Sequence, residues 1–383
     1  MHDSPSEWPA RAETVARDVL AKHAADVDRQ ARWPAESIDA LRAGGFLGLT
    51  VPASHGGAAQ GPRAFANVVT KLAEGCASTA MIYLMHVCGT SVVIAADAFG
   101  KRDQVLKDIA AGKHLSTLAF SEKGSRSHFW APVSQATKDG DGYRVTADKS
   151  FVTSAGQADG YIVSTLAAGG TGPTASSLYF VPKGAKGMTV SGPWTGLGLR
   201  GNSSAPMKLD NVSVSAADRV STEGDGFNVM VNVTLPWFQL GSAAVSVGIA
   251  RSAVGSVRDH LNGAKLEHMG QRLADLPNLR AELARMHITT DAQGAFLHQV
   301  AWRMEHPQAD TMLAVLASKA SANEAALCVT DLAMRACGGT AFGGKLSVER
   351  NFRDARAGSV MAPTTDVLYD FVGKAVLGMP LFG

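Results

Sequence analysis

Few residues in this sequence have the types and spacing that metal or redox chemistry requires. Its four cysteines, at positions 76, 88, 328 and 337, form no Cys-x-x-Cys pair. They are too sparse for a disulfide framework, and we expect no metal site. His86 is the best candidate for acid–base chemistry, because the ordinary pKa of histidine lies near neutrality. A hydrogen-bonded structural histidine on an apolar helix remains the alternative.

The composition excludes several classes of protein. Of 383 residues, 46% are hydrophobic and 18% are charged, which is not typical of a disordered chain. The 36 basic and 34 acidic residues give a net charge of +2 without a basic run, so no nucleic-acid partner is expected. No stretch reaches the roughly 18 uninterrupted apolar residues of a membrane span, and no secretory signal opens the sequence. We therefore expect a reduced, cytoplasmic protein with no membrane partner.

The elements that must position any site fall into three parts. Helical periodicity dominates the sequence up to about residue 114. Residues 115–222 contain short runs rich in β-branched and aromatic residues, separated by glycine turns, and this pattern predicts an antiparallel sheet domain. Long helices rich in small residues return after residue 223, as in a helical bundle. The sequence predicts an α+β fold with domains at 1–114, 115–222 and 223–383.

Several segments resemble, in order and spacing, the signatures of the acyl-CoA dehydrogenase family. Each motif alone is weak, but the resemblance extends from about residue 10 to the C-terminus. The matching segments are LRAGGFLGLTVPASHGG at 41–57, FSEKGSRS at 120–127, KSFVTS at 149–154, LGLRGNSS at 197–204, CGGTAF at 337–342 and RDAR at 353–356. The resemblance implies an N-terminal helical domain, a central β-domain and a C-terminal four-helix bundle.

The same resemblance implies a cofactor and partners. Members of this family are FAD flavoproteins, so the resemblance implies FAD and a small-molecule substrate, with a CoA thioester as one candidate. It also implies a homo-oligomer (a dimer or tetramer) whose subunits share cofactor contacts. By position, Ser121 contacts the pyrimidine edge of the flavin, and Thr153 lies near N5. Phe151 takes the place of a stacking tryptophan, and Phe120 and Ser127 belong to the same cofactor-binding set.

The resemblance also places residues against the rest of the cofactor, with one departure. Gly338 and Gly339 fall where the backbone approaches the cofactor of an adjacent subunit, and Thr364 matches a threonine that contacts it. The family's diphosphate-binding arginine is Leu266 here. Arg335 either replaces that cation or is only a helix C-terminal cation favoured by the helix dipole.

A second departure removes the catalytic base of the family. A dehydrogenase needs a carboxylate to take the α-proton of the thioester. The two positions that carry it in the family are Ala362 and Phe238 here, and neither side chain accepts a proton. We expect Phe238, its neighbour Gln239, Met361 and Ala362 to line the substrate pocket.

Three interpretations remain open. The first is an oxygenase or oxidase in which reduced flavin reacts with O2, with Ser121, Thr153 and His86 as candidate catalytic donors. The second is a dehydrogenase whose base has moved to Glu122 or Glu267. The third is a non-catalytic flavin-binding homologue, which the two hydroxyls at the ring edge disfavour.

Overall fold

The computed structural model describes residues 7–172 and 174–381, and its first part is helical. Glycine and proline define the element ends: Gly45, with φ of 72°, follows α3, and Pro62 opens α4. A wider helical turn at Ala16–Leu20 joins α1 to α2. The helices are α1 (Trp8–Val15), α2 (Ala21–Gln30), α3 (Ala35–Ala43), α4 (Pro62–Gly75), α5 (Ala77–Ala95) and α6 (Arg102–Ala110).

The middle part contains two sheets that pack face to face. One has the strand order β1-β4-β5 and the other β2-β3-β7-β6. Buried side chains such as Tyr161, Tyr179 and Leu209 fill the space between them. The strands are β1 (Ser116–Ala119), β2 (Ala136–Asp139), β3 (Gly142–Val152), β4 (Gly160–Leu166), β5 (Ser176–Pro182), β6 (Met188–Val190) and β7 (Ala205–Val214).

The expectation of a purely antiparallel sheet is wrong in one place. Strand β1 pairs with β4 in parallel, with Ser116 opposite Gly160. The physical reason is that β1 follows a helix and is not joined to its partner β4 by a hairpin turn, so turn residues in the sequence do not indicate whether the two strands run parallel or antiparallel. The consequence is that β1 leads directly out of the helical part into the segment that contains Ser121.

The third part is a helical bundle followed by a short helix. A wider turn at Met230–Thr234 joins α7 to α8, and α8 to α11 pack on one another. The polar helix α11 was not predicted. The elements are α7 (Gly226–Val229), α8 (Leu235–Gly263), β8 (Lys265–Leu266), β9 (Gln271–Arg272), α9 (Pro277–Glu305), α10 (Thr311–Phe342), α11 (Ser347–Val360) and α12 (Thr365–Val376).

Among the described residues, three helices are long and apolar enough to cross a membrane by length and composition alone. They are Ala77–Ala95, Gly226–Gly263 and Thr311–Phe342. Within the fold, 89%, 83% and 61% of their most apolar windows are buried. Glycine permits this packing: a Cβ added at Gly248 of α8 would lie 2.5 Å from the carbonyl oxygen of Thr70. These helices form the core that joins the first and third parts.

A buried contact fixes the third part against the β-domain. Asp354 of α11 accepts a hydrogen bond of 2.6 Å from the backbone N–H of Leu199. A Cβ added at Gly198 would lie 2.5 Å from the carbonyl oxygen of Arg353. Two motifs whose contacting residues are 155 positions apart in the sequence therefore pack directly on each other, and this contact orients the segment after α11.

Candidate functional site

The residues predicted to contact the flavin ring lie at the ends of β1 and β3. The N–H of Ser150 donates to the carbonyl of Ser121 at 2.8 Å, which ties the two chain segments together. The hydroxyl oxygen of Thr153 lies 2.9 Å from that of Ser204, and Thr153 is 5% exposed. The structure therefore brings the two hydroxyl-bearing residues, Ser121 and Thr153, into one neighbourhood.

Phe151 differs from a core aromatic residue in both its backbone geometry and its exposure. An extra residue in β3, between Lys149 and Val152, makes a bulge against β7. At this bulge Phe151 has a φ of 54° and is 69% exposed. Bulky residues rarely adopt positive φ, and such outliers concentrate at binding sites. With Trp194, whose ring centroid lies 6.3 Å away, Phe151 forms an open aromatic wall.

Phe120 and Glu122, on either side of Ser121, are structural. The ring of Phe120 is 5% exposed and stacks on Phe129 at 6.1 Å, so the structure contradicts a side-chain contact with cofactor. The Glu122 carboxylate pairs with the buried Lys149 ammonium and accepts the N–H groups of Val133 and Ser134 at 2.7 and 2.8 Å. Burial alone would raise the pKa of Glu122, but Lys149 and Ser134 outweigh it and the pKa is lowered.

A polar cradle joins the β-domain to the start of α12. The N–H of Thr364 donates to the Ser127 hydroxyl oxygen at 2.9 Å, and the two hydroxyl oxygens are 3.2 Å apart. Thr364 precedes α12 without a side-chain cap on that helix, so the first N–H groups of α12 have no capping partner from it. Two hydroxyls beside a helix N-terminus suit a phosphate group. This donor set fits the diphosphate of FAD.

The residues predicted to meet an adjacent subunit's cofactor lie on an open surface. Gly338 has a φ of 52° and breaks the regular geometry of α10. A Cβ added at Gly338 or Gly339 would meet nothing within 4 Å. Arg335, one turn earlier, is exposed and forms no hydrogen bond or ion pair within residues 7–172 and 174–381. It is therefore free to meet an anion, although its role stays a prediction.

The residues predicted to line the substrate pocket divide into two groups. Met361 and Ala362 are partly exposed, and Phe238, 8% exposed, lies near the beginning of α8. Gln239 is fully buried, and its amide has no hydrogen-bond partner among the described residues. Because neighbouring residues on a helix point about 100° apart, Gln239 does not share the face of Phe238. The place of Gln239 in the substrate pocket stays a prediction.

The structure also contradicts an acid–base role for His86. Its ring is fully buried, with Nε2 2.9 Å from the carbonyl oxygen of Leu47 and Nδ1 accepting the N–H of Ser116 at 3.0 Å. Burial lowers the pKa of His86 to about 4. Both ring nitrogens are used to join α5 to β1 and to the segment after α3, so neither is available to a substrate.

Sequence reasoning missed Lys319, which lies between the two positions where the family base was expected. Lys319 is fully buried in α10, and its Nζ donates to the carbonyls of Met361 and Pro363 at 2.9 and 2.7 Å. The ring centroid of Phe238 lies 5.9 Å from Nζ. A lysine in a long helix ordinarily lies at the surface, so no sequence signal distinguished this one.

The sequence matches three family models in the order of the three structural parts. The N-terminal domain of acyl-CoA dehydrogenase matches residues 6–113, the middle domain residues 117–212 and the C-terminal domain residues 224–377. The predicted order of the domains is confirmed, and the residue bounds proposed for them stay a prediction.

Comparisons with individual proteins agree with this assignment. The chain is 27% identical over 372 residues to a probable acyl-CoA dehydrogenase, fadE25, of Mycobacterium leprae, covering 97% of this chain and 95% of the relative. Its fold matches the prolyl acyl carrier protein oxidase AnaB with a TM-score of 0.88 and 20% identity, over 98% of this chain and 100% of AnaB. It also matches the FAD complex of PigA with a TM-score of 0.88 and 20% identity, over 99% and 100%. PigA carries FAD on this fold, which agrees with the predicted flavin cofactor, and the chain belongs to the acyl-CoA dehydrogenase family of flavoproteins.

Proposed function

We propose that this protein is a flavin-dependent oxidoreductase that uses O2, and that it does not abstract an α-proton from a saturated CoA thioester. One observation carries the proposal: both positions that hold the family's base are occupied by side chains without a carboxylate, Phe238 and Ala362. The Lys319 amino group lies beside both positions, and it donates its hydrogen bonds to the backbone carbonyls of Met361 and Pro363. Without a general base, α-deprotonation loses about 10²–10⁴-fold in rate.

The carboxylates considered as relocated bases do not restore this function. Glu122 is held by Lys149 and by Ser134, and its carboxylate is 2% exposed. Glu267 lies in the exposed turn between β8 and β9, beyond the far end of the 29-residue helix α8 from Phe238. A helix of that length extends about 40 Å, so Glu267 is remote from Phe238 within one subunit.

The residues of this chain have distinct roles toward FAD. When bound, FAD supplies reversible two-electron chemistry and, when reduced, reactivity toward O2. Ser121 and Thr153 offer hydroxyls to the polar edge of the ring, and Phe151 offers an aromatic face. Ser127 and Thr364 hold the diphosphate. Phe238, Met361 and Ala362 give the substrate side an apolar wall that excludes water.

A second copy of this chain would complete the cofactor site. Large apolar side chains are exposed in the third part of the structure: Phe342 at the end of α10 is 84% exposed, and Val376 and Leu377 at the end of α12 are 71% and 74% exposed. Phe342 follows Gly338 and Gly339 by about one helical turn, on the surface where the backbone is open. Exposed apolar surface next to an open glycine pair supports a homo-oligomer in which one subunit covers the FAD of another.

The substrate is a small molecule. The apolar wall of Phe238, Met361 and Ala362 accommodates an acyl chain of a CoA thioester as well as an aromatic compound, so the site alone supports both classes. The relative named as an acyl-CoA dehydrogenase favours the thioester.

The experiment is a spectrum of the purified protein, supplemented with FAD, before and after anaerobic reduction with dithionite and again after air is admitted. We expect a bound flavin that bleaches and is rapidly reoxidised. Single-turnover reactions with ¹⁸O2 and candidate substrates then distinguish oxygenation, which transfers one labelled atom to product and one to water, from oxidation without oxygen transfer. Failure to bind any flavin would refute the proposal.

A further inference from the structure

Lys319 is a buried cation without a counter-charge. It is fully buried, and no carboxylate pairs with it in the described part of the chain. The other fully buried lysine of the protein, Lys149, is paired with Glu122. Burying an unpaired ammonium is costly, so a fold that keeps one uses its hydrogen bonds.

The hydrogen bonds of Lys319 are directed at a single short segment. The ammonium donates to the carbonyls of Met361 and Pro363, the residues on either side of Ala362. One helical turn later on α10, Asn323 lies 3.5 Å from the Thr365 hydroxyl and accepts a hydrogen bond of 2.8 Å from Ser246. Helix α10 therefore braces the segment 361–365 near both of its ends.

That braced segment reaches the cofactor cradle. Thr364 directly follows Pro363, and its N–H donates to the Ser127 hydroxyl at 2.9 Å. A continuous set of contacts thus leads from the Lys319 ammonium through the Pro363 carbonyl and Thr364 to Ser127. A shift of the Pro363 carbonyl would move the Thr364 hydroxyl and the start of α12.

We propose that Lys319 is a positioning residue: by holding the carbonyls of Met361 and Pro363, its ammonium sets the position of Thr364 and thereby the affinity of the site for the diphosphate of FAD. The inference rests on the proposed function, because it requires FAD at the cradle of Ser127 and Thr364. It assigns Lys319 no contact with substrate.

The protonation state of Lys319 gives this role a measurable signature. Burial lowers the pKa of Lys319 to about 7. The helices packed against α10 carry titratable groups such as Arg251, His298, Asp354 and Asp366, and none of the described ones forms an ion pair with Lys319. A charged donor makes stronger hydrogen bonds than a neutral amine. A diphosphate bound at Thr364, the residue after Pro363, would also favour the charged form of Lys319. The protein should therefore take up a proton when it binds FAD, and its affinity for FAD should fall as the pH rises through about 7.

The experiment measures the dissociation constant of FAD for the flavin-free protein by fluorescence titration from pH 6 to pH 9. For wild type we expect affinity to fall with rising pH, by about tenfold for each unit by which FAD raises the pKa of Lys319. Lys319→Met should bind FAD more weakly at pH 6 and lose this dependence. Lys319→Arg, which stays charged throughout, should lose the dependence while retaining affinity.

The control is Lys374→Met on α12, which removes a lysine that pairs with Asp370 at 2.8 Å. It should leave the pH profile unchanged. A wild-type affinity that does not change with pH, or a profile that persists in Lys319→Met, would overturn the inference. If Lys319→Met does not fold, as judged by circular dichroism, the wild-type and Lys319→Arg profiles decide. A wild type that binds no flavin at any pH refutes the proposed function instead.

Discussion

The assignment of the FAD diphosphate to the cradle of Ser127 and Thr364 predicts how far the dissociation constant of FAD rises when one of the two hydroxyls is removed. Thr364→Val keeps the shape of the side chain and removes the hydroxyl that lies 3.2 Å from the Ser127 hydroxyl. A hydrogen bond to a charged group contributes about 1.5–3 kcal/mol. Loss of one such bond to the diphosphate therefore raises the dissociation constant of FAD roughly 10–150-fold.

Ser127→Ala should cost as much or more, because the Ser127 hydroxyl also accepts the Thr364 N–H at 2.9 Å. The double variant should lose less than the sum of the two, since both hydroxyls serve one site. Isothermal titration of the flavin-free protein with FAD measures all four values at one pH. The control is Thr14→Val, which removes an exposed hydroxyl on α1. Affinities within twofold of wild type for both single variants would refute the assignment of the diphosphate to this cradle.

Three further predictions concern affinity and stability. Arg335→Ala should weaken FAD binding in the assembled oligomer by titration, and an unchanged affinity would make Arg335 only a helix cap. Gly198→Ala places a Cβ 2.5 Å from the Arg353 carbonyl oxygen and should lower the free energy of unfolding by about 1–3 kcal/mol. The control Gly255→Ala, whose added Cβ meets nothing within 4 Å, should not lower it, and chemical denaturation compares the two variants. Burial raises the pKa of Asp354 to about 6 in the folded state. Between about pH 4 and pH 6 the folded state therefore keeps a proton that the unfolded state releases, so the contribution of Asp354 to stability falls as the pH rises through this range. Asp354→Asn should remove that slope from melting temperatures measured across this range, and parallel curves for the two proteins would contradict the assignment.

The order of the three structural parts could be predicted from the sequence because periodicity and turn residues are local signals. The direction of β1 could not, since pairing with β4 is a long-range contact. Helix α11 was missed because most of its residues are polar or charged, and only Val348, Asn351, Asp354, Ala355 and Gly358 are buried.

In the candidate site, too, some residues could be identified from the sequence, and others depend on contacts between distant segments. Phe151, Thr153, Ser127 and Thr364 were selected by the resemblance, and the structure gives them geometry that suits a flavin and a diphosphate. His86 was misjudged because the sequence does not show that the Leu47 carbonyl and the Ser116 N–H meet its ring. Lys319 was overlooked for the converse reason: its burial depends on four helices that pack around α10.

The measurement that tests the central claim most directly is anaerobic reduction of the bound flavin by butyryl- to decanoyl-CoA, followed by absorbance. We expect no bleaching of the wild-type flavin, since Phe238 and Ala362 supply no base. Ala362→Glu restores a carboxylate at the family position and should permit bleaching if the pocket accepts thioesters, while the exposed control Val360→Glu should not. Rapid bleaching of the wild-type flavin by these thioesters would contradict the account and show that another residue acts as the base.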